Sequence, residues 1–561
     1  MTLRRRAALA VAFAIVPALQ AQTTVERVSV TSAGQEGNGP SYAIELSDDA
    51  RFTLFTSDAT NLVPGDTNGV ADAFVRDRQL GSTERVTVGA GGIQANGTTT
   101  GASLSGDGRY ACFSSSATNL VAGDSNGVDD VFLRDRLLGT TERISQTPAG
   151  TQWGSPSDWP VIARGGRYVV YRNHAGLTYY RLYRRDLQLG LTELSDELPA
   201  NYTRWGSSRS PSLSADGRYV AFEATVQIAG SPSVTSRIFV RDMQTGSTIE
   251  ASSVQGTPSN STAMTPAFSP DGQWIAFLGW GSNLVPGFTP DTYGALFMHD
   301  LVNGTNEVIS TTSTGVISRG SNYFAHGISA GGRFVTLVGG GNALVPADTN
   351  QNWDVFLKDR LTGSTRRVSA TATGAQLASG GWGGQLTPDG RFLVLNSDSP
   401  ALVAGDANGT HDVFVLDLAP PQAQSFCTGL PSSLGCTPAL AASGTPSLSS
   451  AQPFTLACTN LVNQQPAWIS YSVAPSARPF HGGTLCIERP IVQLALLSSG
   501  GSTSGSDCTG SYAIDFNQRI QSGLDARLVP GTLVCVQAFG HDPQAAGGYT
   551  LSPGLAFTVQ P

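Results

Sequence analysis

Apolar residues recur along the chain in short runs, and turn-forming residues bound nearly every run. Typical runs are Tyr-Val-Ala-Phe at 219–222 and Asp-Val-Phe-Leu at 130–133. Runs of this length are typical of buried β-strands and are too short for ordinary helices. A turn close to Leu-Ser-x-Asp-Gly-Arg precedes one such strand in each of seven units. The seven turns lie at 46–51, 104–109, 162–167, 213–218, 268–273, 328–333 and 386–391. The pattern predicts an all-β fold in which Asp-Gly turns join antiparallel strands.

Each repeated unit contains four predicted strands, and successive turns are 51 to 60 residues apart. Four strands per repeat are typical of a propeller blade, whereas solenoids use shorter units. Six units contain a fourth strand such as the one at 141–145, but the seventh ends near residue 417 without one. A matching segment lies at 25–29. The sequence therefore predicts a seven-bladed β-propeller closed by an N-terminal strand within 23–30, which leaves no open sheet edge.

The Ser-x-Asp-Gly-Arg turns and the Val-Phe-x-Arg-Asp strands resemble the WD40-like repeats of TolB-type propellers, over about residues 23–419. The resemblance implies a fold and no particular chemistry, because such propellers serve as scaffolds, receptors and enzyme domains. The α/β domain that precedes the TolB propeller has no counterpart in this sequence. Neither has the hydrolase segment of peptidases that carry a similar propeller. Neither the envelope role of TolB nor peptidase activity is therefore expected here.

The N-terminal residues predict a secretory signal peptide over 1–21. Three arginines at 4–6 precede an apolar stretch at 7–19, and Ala21 is a small residue at a suitable cleavage point. The apolar stretch is too short to span a membrane, and no later segment offers about 18 uninterrupted apolar residues. The protein is therefore expected to be exported, to the periplasm, the cell surface or the extracellular space, with no transmembrane segment.

Composition and charge narrow the expected partners. Charged residues make up 14% of the chain, and the formal net charge is -8. Loss of the three N-terminal arginines would bring the net charge to about -11. A diffuse negative charge argues against nucleic acid or an anionic membrane as the main partner. A protein or a polysaccharide is expected instead.

A second domain is predicted at 427–561, after a proline-containing linker at 420–426. It contains six of the seven cysteines: Cys427, Cys436, Cys458, Cys486, Cys508 and Cys535. An even number of cysteines in an exported, loop-rich module predicts disulfides, with 15 possible pairings. The strand-like surroundings favour the pairs 427–436, 486–508 and 458–535. Zinc is disfavoured because the Cys-x-x-C spacing is absent. The module is expected to be a small β-sandwich, and it resembles cysteine-containing terminal domains of exported bacterial proteins.

The remaining candidates for chemistry have structural explanations. An aspartate follows the third strand of every unit, and we expect it to anchor the next turn. These aspartates are Asp77, Asp135, Asp186, Asp242, Asp300, Asp359 and Asp417. Cys112 replaces an alanine of sister units, so a buried, inert thiol is predicted. The six histidines lack the paired spacing of a metal site. No catalytic nucleophile or phosphate-binding motif is present, and no carboxylate pair stands out.

An acidic turn, Asp-x-Asn-x-x-x-Asp, recurs between the second and third strands of four units. Its residues are Asp66, Asn68 and Asp72; Asp124, Asn126 and Asp130; Asp348, Asn350 and Asp354; and Asp406, Asn408 and Asp412. Oxygen atoms at positions 1, 3 and 7 resemble the first half of a calcium loop, so calcium is the one cofactor predicted. No bidentate glutamate follows at position 12. Asn-Gly also explains three of these turns without a metal, so turn capping stays open as the alternative.

Three classes of function remain. The favoured one is an exported, non-catalytic scaffold or binding protein that recognises a protein or polysaccharide on one propeller face. The first alternative is an enzyme acting on extracellular polysaccharide or peptide in the propeller channel. The second is a structural cell-surface protein attached through its C-terminal module. A channel lined by unequal polar residues would favour the enzyme, whereas clustered aromatic residues on a broad face would favour binding.

Overall fold

The computed structural model describes residues 24–560, apart from 175–178, 319–323, 341–342, 347, 372, 419–422, 531 and 546. Seven four-stranded antiparallel sheets occupy the first three quarters of the chain. The first, inner strands of consecutive sheets contact one another in a closed ring. This arrangement is a seven-bladed β-propeller with its inner strands around the axis. The signal peptide predicted at 1–21 lies outside the described residues.

The blades share one strand order from the axis outwards. The inner strands are Ser41–Leu46, Thr99–Leu104, Ser157–Ile162, Tyr202–Leu213, Ala263–Phe268, Phe324–Ile328 and Trp382–Leu386. The second strands are Phe52–Ser57, Tyr110–Ser115, Tyr168–Asn173, Tyr219–Ile228, Trp274–Gly279, Phe334–Gly339 and Phe392–Ser397. The third strands are Asp72–Asp77, Asp130–Asp135, Arg181–Asp186, Val234–Asp242, Ala295–Asp300, Asp354–Asp359 and Asp412–Asp417. The outer strands are Ser82–Arg85, Thr140–Arg143, Leu191–Leu194, Thr248–Glu250, Thr305–Val308 and Thr365–Arg367. A short hairpin, Ser253–Val254 with Thr257–Pro258, and the 3-10 turn Ala90–Gly92 lie between blades, whereas the 3-10 turn Ala330–Gly332 joins the first and second strands of blade six.

The outer strand of blade seven comes from the N-terminus, as the missing fourth strand of the last repeat predicted. Thr24–Arg27 pairs antiparallel with Asp412–Asp417, and Arg27 lies opposite Phe414. Val28 N–H continues the ladder by donating to the Val413 carbonyl oxygen at 2.8 Å. The chain terminus therefore closes the ring, and this topology confirms the predicted propeller.

The core of the propeller lies between neighbouring sheets, because the second and third strands are largely buried on both faces. In four blades a phenylalanine of the second strand stacks on one of the third, with ring centroids 5.7 Å apart. Three of these pairs pack against apolar strands of the preceding blade, so the core continues from blade to blade: Phe55 with Phe74, Phe222 with Phe239, and Phe277 with Phe297. Aromatic pairs across strands stabilise a sheet beyond simple area burial. The repeated apolar runs of the sequence thus become the inter-blade core.

The end of the propeller that carries the Asp-Gly-Arg turns is named the turn end. In six blades the turn arginine binds the aspartate that ends the third strand, with N–O distances of 2.6 to 2.9 Å. These pairs are 51–77, 109–135, 167–186, 218–242, 333–359 and 391–417. In blades one to six the aspartate accepts backbone N–H groups of the following turn, as Asp135 does from Leu137 and Leu138. The expected anchoring role of the seven-fold aspartate is confirmed in these blades.

These pairs predict a loss of stability in acid. Hydrogen bonds from Arg109 lower the pKa of Asp135 below its ordinary value. A lowered pKa in the folded state contributes stability that is present above the unfolded pKa, near 3.9, and is lost as the pH falls through the folded pKa. We expect the melting temperature of Asp135→Asn to lie below that of the wild type at pH 6, by an amount equivalent to about 1 kcal/mol or less. The difference should vanish towards pH 2 in thermal melts, and a constant difference would contradict this account.

The C-terminal module is a β-sandwich, as predicted. Its larger sheet consists of Gln424–Phe426, Gly554–Thr558, Leu533–His541, Pro466–Ser472 and Val492–Gln493, with Leu497–Ser498 and Tyr549–Leu551 at its sides. The smaller sheet consists of Ala439–Ser443, Thr455–Leu461 and Gly510–Asp515. A hairpin of Pro475–Phe480 and Gly483–Ile487 and one helix, Asn517–Gln521, complete it. Residues from both sheets share one apolar core. Because Gln424–Phe426 is a strand of this module, the last three residues of the predicted linker belong to it.

The cysteine pairing predicted from the sequence is wrong. The disulfides are Cys427–Cys486 and Cys436–Cys508, and Cys458 and Cys535 are buried free thiols. Cys458 lies in the core between the two sheets. Cys535 lies in the larger sheet, where its neighbours Val534 and Val536 face that core. Since side chains alternate along a strand, Cys535 points out of the opposite face and cannot reach Cys458.

Mass spectrometry of the non-reduced protein should therefore find 427–486 and 436–508, together with free thiols at Cys112, Cys458 and Cys535. Cys112 is fully buried, and burial raises the pKa of its thiol, so alkylation should require unfolding. Each disulfide closes a loop of moderate length, and its removal should lower the free energy of unfolding by about 2–5 kcal/mol. A 458–535 bond in the folded protein would contradict the finding that Cys535 points out of the sheet face opposite to Cys458.

The module packs against the turn end of the propeller. Leu361, in the outer turn of blade six, contacts the module's cluster around Leu533, Cys535 and Phe539. A Cβ built on Gly331 would lie 3.5 Å from the Leu533 Cβ. A cavity of about 440 Å³ is lined by turns of blades one and seven on one side and by the module's Ser447 region on the other. The opposite end of the propeller is thus the one that the module leaves uncovered.

Across the part of the chain that the structure describes, no helix combines the length and the apolar character needed to cross a membrane.

Candidate functional site

The end of the propeller opposite the turn end carries the long loops between second and third strands, and it is named the loop end. Here the first residue of an inner strand donates its N–H to the residue that precedes the third strand of the previous blade. Examples are Ser41 N–H to the His411 carbonyl oxygen at 2.7 Å and Ser157 N–H to that of Asp129 at 2.8 Å. Blades one, two and three share this link, since Thr99 N–H also donates to the Ala71 carbonyl oxygen at 3.0 Å, but the side chains at these positions differ from blade to blade. The mouth of the channel is therefore surrounded by unequal residues.

Aromatic side chains concentrate at this mouth. Trp353 stacks between Phe324 and Trp382, with centroid distances of 5.9 and 4.6 Å and nearly parallel rings. Tyr42 lies next to His411 at 5.6 Å. Four of the mouth's large aromatic side chains remain 41% to 51% exposed: Tyr42, Trp159, Trp205 and Trp382. We call this group, with Phe324, Trp353 and Tyr180, the aromatic rim.

On blade three the rim is built around a cation. The Arg172 guanidinium lies 4.1 Å from the Trp159 ring centre and 4.2 Å from that of Tyr180. The Asp158 carboxylate accepts hydrogen bonds from Arg172 Nε at 2.7 Å and from Arg172 Nη2 at 2.6 Å. A bidentate pair clamped between two rings fixes the orientation of both aromatic side chains. The rim is therefore preorganised on this side.

Polar residues of the inner strands join the blades beside the channel. Glu45 accepts hydrogen bonds from Ser103 Oγ and from Leu104 N, both at 2.8 Å, and Gln385 Nε2 donates to it at 3.2 Å. Burial raises the pKa of Glu45 above its ordinary value, although Arg164 lies 3.5 Å away and opposes the shift. This carboxylate thereby links blades seven, one and two. Its contacts make it a structural bridge at the closure of the ring.

All four acidic turns lie at the loop end, and the structure shows how their charges are balanced. An arginine of the outer strand contacts each pair of aspartates. Arg85 Nη1 lies 3.2 Å from Asp66 Oδ1 and 3.3 Å from Asp72 Oδ2. Arg143 reaches Asp124 at 3.8 Å, and Arg367 reaches Asp348 at 3.4 Å. These arginines were not identified from the sequence, although each follows the turn's second aspartate at the same spacing.

The asparagine of each turn serves the turn itself. Its Oδ1 accepts the backbone N–H two residues on, and its Nδ2 donates to the second aspartate. For Asn68 these contacts are 3.3 Å to Val70 N and 3.2 Å to Asp72 Oδ2. The other three turns repeat them. Turn capping thus accounts for the asparagines, and calcium at the turns of blades one, two and six stays a prediction.

A glutamine from the loop after the outer strand completes three of the turns. Gln94 Nε2 donates to Asp66 at 2.8 Å, Gln152 to Asp124 at 2.9 Å and Gln376 to Asp348 at 2.8 Å. In blade seven the N-terminal segment supplies this loop, and the corresponding residue is Glu36. The Glu36, Asp406 and Asp412 carboxylates lie within 4.8 Å of one another. Burial and the nearby Asp412 raise the pKa of Asp406 to about 6.

The fold and its loop end define a seven-bladed β-propeller protein with a C-terminal β-sandwich module. No protein-family model matches the chain, and no curated protein matches it. Solved structures of other propellers are similar to it in outline. An oligogalacturonate lyase from Vibrio parahaemolyticus is 12% identical, with a TM-score of 0.44, over 70% of this chain and 93% of that one. The propeller domain of the Trilobed protease from Pyrococcus furiosus is 10% identical, with a TM-score of 0.41, over 68% and 98%. A putative TolB from Agrobacterium tumefaciens is 19% identical, with a TM-score of 0.31, over 48% and 80%.

Proposed function

We propose that this is an exported, non-catalytic binding protein whose aromatic rim recognises a polysaccharide. The single observation that carries the proposal is the set of exposed aromatic side chains around one mouth of the propeller. Tryptophan and tyrosine combine a flat apolar face with a polar tip, and they dominate the energetics of binding surfaces. Sugar rings have the matching combination of apolar faces and peripheral hydroxyl groups. Two disulfides in the C-terminal module support export, because such bonds persist in oxidising compartments.

The arrangement of domains supports the same proposal. The C-terminal module packs on the turn end, so it leaves the aromatic rim open to a large ligand. Neighbouring blades contribute the rim residues, and an extended chain could therefore contact several of them at once. A non-catalytic role follows for Glu45, whose carboxylate is engaged in joining blades.

Affinity electrophoresis and calorimetry with a panel of neutral and uronic-acid polysaccharides test the proposal. Replacing an anchoring aromatic residue of a binding surface costs about 2 kcal/mol or more. We therefore expect Tyr42→Ala and Trp382→Ala each to weaken binding at least about thirtyfold, while thermal melts show that both variants remain folded. Leu80→Ala and Leu138→Ala are the controls, because they remove exposed apolar side chains, 72% and 66% exposed, from the turn end.

Three results would contradict the proposal. The first is equal affinity of the rim variants and the wild type for the polysaccharide that binds. The second is failure of every polysaccharide in the panel to bind, while a protein partner is captured in a rim-dependent way. The third is release of shorter chains from a bound polysaccharide, which chromatography would detect and which would make the protein an enzyme.

A further inference from the structure

The closure of the ring contains a carboxylate cluster that its sister junctions lack. Blade seven is completed by the N-terminal segment, so the loop after its outer strand contains Glu36 where three other blades have glutamine. Carboxylate oxygens of Glu36, Asp406 and Asp412 come within 4.8 Å of one another. The cluster thus joins the two ends of the propeller sequence at one point.

One oxygen of this cluster is left without a donor. In the sister turns the glutamine amide donates to the first aspartate, but the Glu36 carboxylate has no N–H to offer. The Asp406 side chain is only 3% exposed, and its Oδ2 finds no hydrogen-bond donor among the described residues. A buried acceptor without a partner costs the full desolvation of that group. The oxygen therefore calls for a ligand that accepts its electron pair.

The charge balance indicates what that ligand is. Three carboxylates face a single arginine, Arg27, whose Nη1 forms an ion pair with Glu36 and lies 3.5 Å from Asp406 and 3.3 Å from Asp412. The cluster therefore retains two negative charges, whereas Arg85 leaves only one on the pair Asp66 and Asp72. Arg27 also directs Nη2 towards the Gly405 carbonyl oxygen at 3.5 Å, beside the cluster. Carboxylate oxygens are among the ligands that hard divalent cations such as calcium prefer, and water can supply the remaining ones.

We propose that Glu36, Asp406 and Asp412 bind one divalent cation with the oxygen preference of calcium, and that this ion fastens the N-terminal segment to blade seven. The proposal is independent of polysaccharide binding at the rim. It assigns the predicted calcium to the one acidic turn that has a third carboxylate. The ion would link the propeller's ends through side chains, in addition to the backbone pairing of Thr24–Arg27 with Asp412–Asp417.

Calorimetric titration of the EDTA-treated mature protein with calcium, and separately with magnesium, tests the proposal. We expect one equivalent of calcium to bind and the melting temperature to rise by at least about 2 °C at millimolar calcium. Glu36→Gln restores the residue found at the sister junctions. It should abolish the heat of binding and should melt at a higher temperature than the wild type in EDTA, because the amide supplies the missing donor.

Gln94→Glu is the reciprocal variant, since it gives the pair Asp66 and Asp72 a third carboxylate. It should bind a second equivalent of calcium, and this expectation holds even if Glu36→Gln folds poorly. The proposal is overturned if the wild type gives no heat with either ion up to about 10 mM. It is also overturned if Glu36→Gln still binds calcium, or if Gln94→Glu gains no second equivalent. If the melting temperature of the wild type changes with pH but not with calcium or magnesium, Glu36 and Asp406 share a proton instead of binding an ion.

Discussion

Removal of residues 24–30 should strongly destabilise the propeller. The deletion removes the outer strand of blade seven and two buried valines, Val28 and Val30. Burial of a valine side chain contributes about 1.5–3 kcal/mol, so the two contribute about 3–6 kcal/mol together. This is a large share of the 5–15 kcal/mol that stabilises a typical domain. We expect the melting temperature to fall sharply in differential scanning calorimetry.

The same deletion should also cause aggregation, for a separate reason. Without Thr24–Arg27, the edge of Asp412–Asp417 exposes an unpaired row of N–H and C=O groups, which can pair with a strand of another molecule. The buried carboxylate of Asp412 would lose Ser29 and Arg27 as partners. Light scattering should show oligomers at concentrations where a control beginning at residue 24 stays monomeric. If the truncated protein melts like that control and stays monomeric, the N-terminal strand does not close the ring.

The propeller could be predicted because its determinants recur. The Asp-Gly turns recur with the apolar runs, and the absence of a fourth strand in the last repeat indicated the segment at 25–29 as its replacement. A repeat pattern identifies the positions that are the same in every unit, but it gives no information about positions that differ between units. Tyr42, Trp159 and Trp382 lie at such positions, so the aromatic rim became visible only when the fold brought them to one mouth.

The disulfides show a different limit. The strand Leu533–His541 is apolar at nearly every position, so its sequence gives no sign of which residues face the sandwich core. In a strand that alternates apolar and polar residues, the pattern would have shown that Cys535 points away from Cys458. In a strand that is buried on both faces, the sequence does not show which residues face which side of the sheet. The four cysteines that do pair lie in or beside loops, where sequence separation says little about distance in space.

The acidic turns could be predicted from the sequence only in part. Their aspartates and asparagines were found from the repeat, but the partners were not, because those come from the outer strand and the loop beyond it. The spacing from Asp72 to Arg85 recurs from Asp130 to Arg143 and could have revealed the arginines. Glu36 follows Arg27 at the spacing that separates Gln94 from Arg85, so the predicted N-terminal strand could also have placed Glu36 beside Asp406.

Removal of the Asp359 carboxylate should cost far more than the same change in another blade. Arg333 binds Asp359 through Nη2 at 2.9 Å, as Arg109 binds Asp135 at 2.6 Å. The two pairs have the same place in the repeat but different surroundings. The Arg333 side chain is 1% exposed, because the C-terminal module packs over this part of blade six, whereas the Arg109 side chain is 34% exposed. Water can solvate the Arg109 guanidinium but is excluded from that of Arg333.

The expected difference follows from that exclusion of water. Breaking a buried ion pair by deleting one partner costs about 3–5 kcal/mol, since the remaining charge stays desolvated. An exposed pair contributes about 1 kcal/mol or less. Asp359→Ala should therefore lower the free energy of unfolding by about 3–5 kcal/mol in denaturant titrations, against about 1 kcal/mol for Asp135→Ala. Both aspartates also accept a turn N–H, from Leu361 and from Leu137. Asp135 accepts a second one, from Leu138, so its loss removes at least as many turn hydrogen bonds and the comparison is conservative. Equal losses in the two variants would show that the module does not exclude water from Arg333.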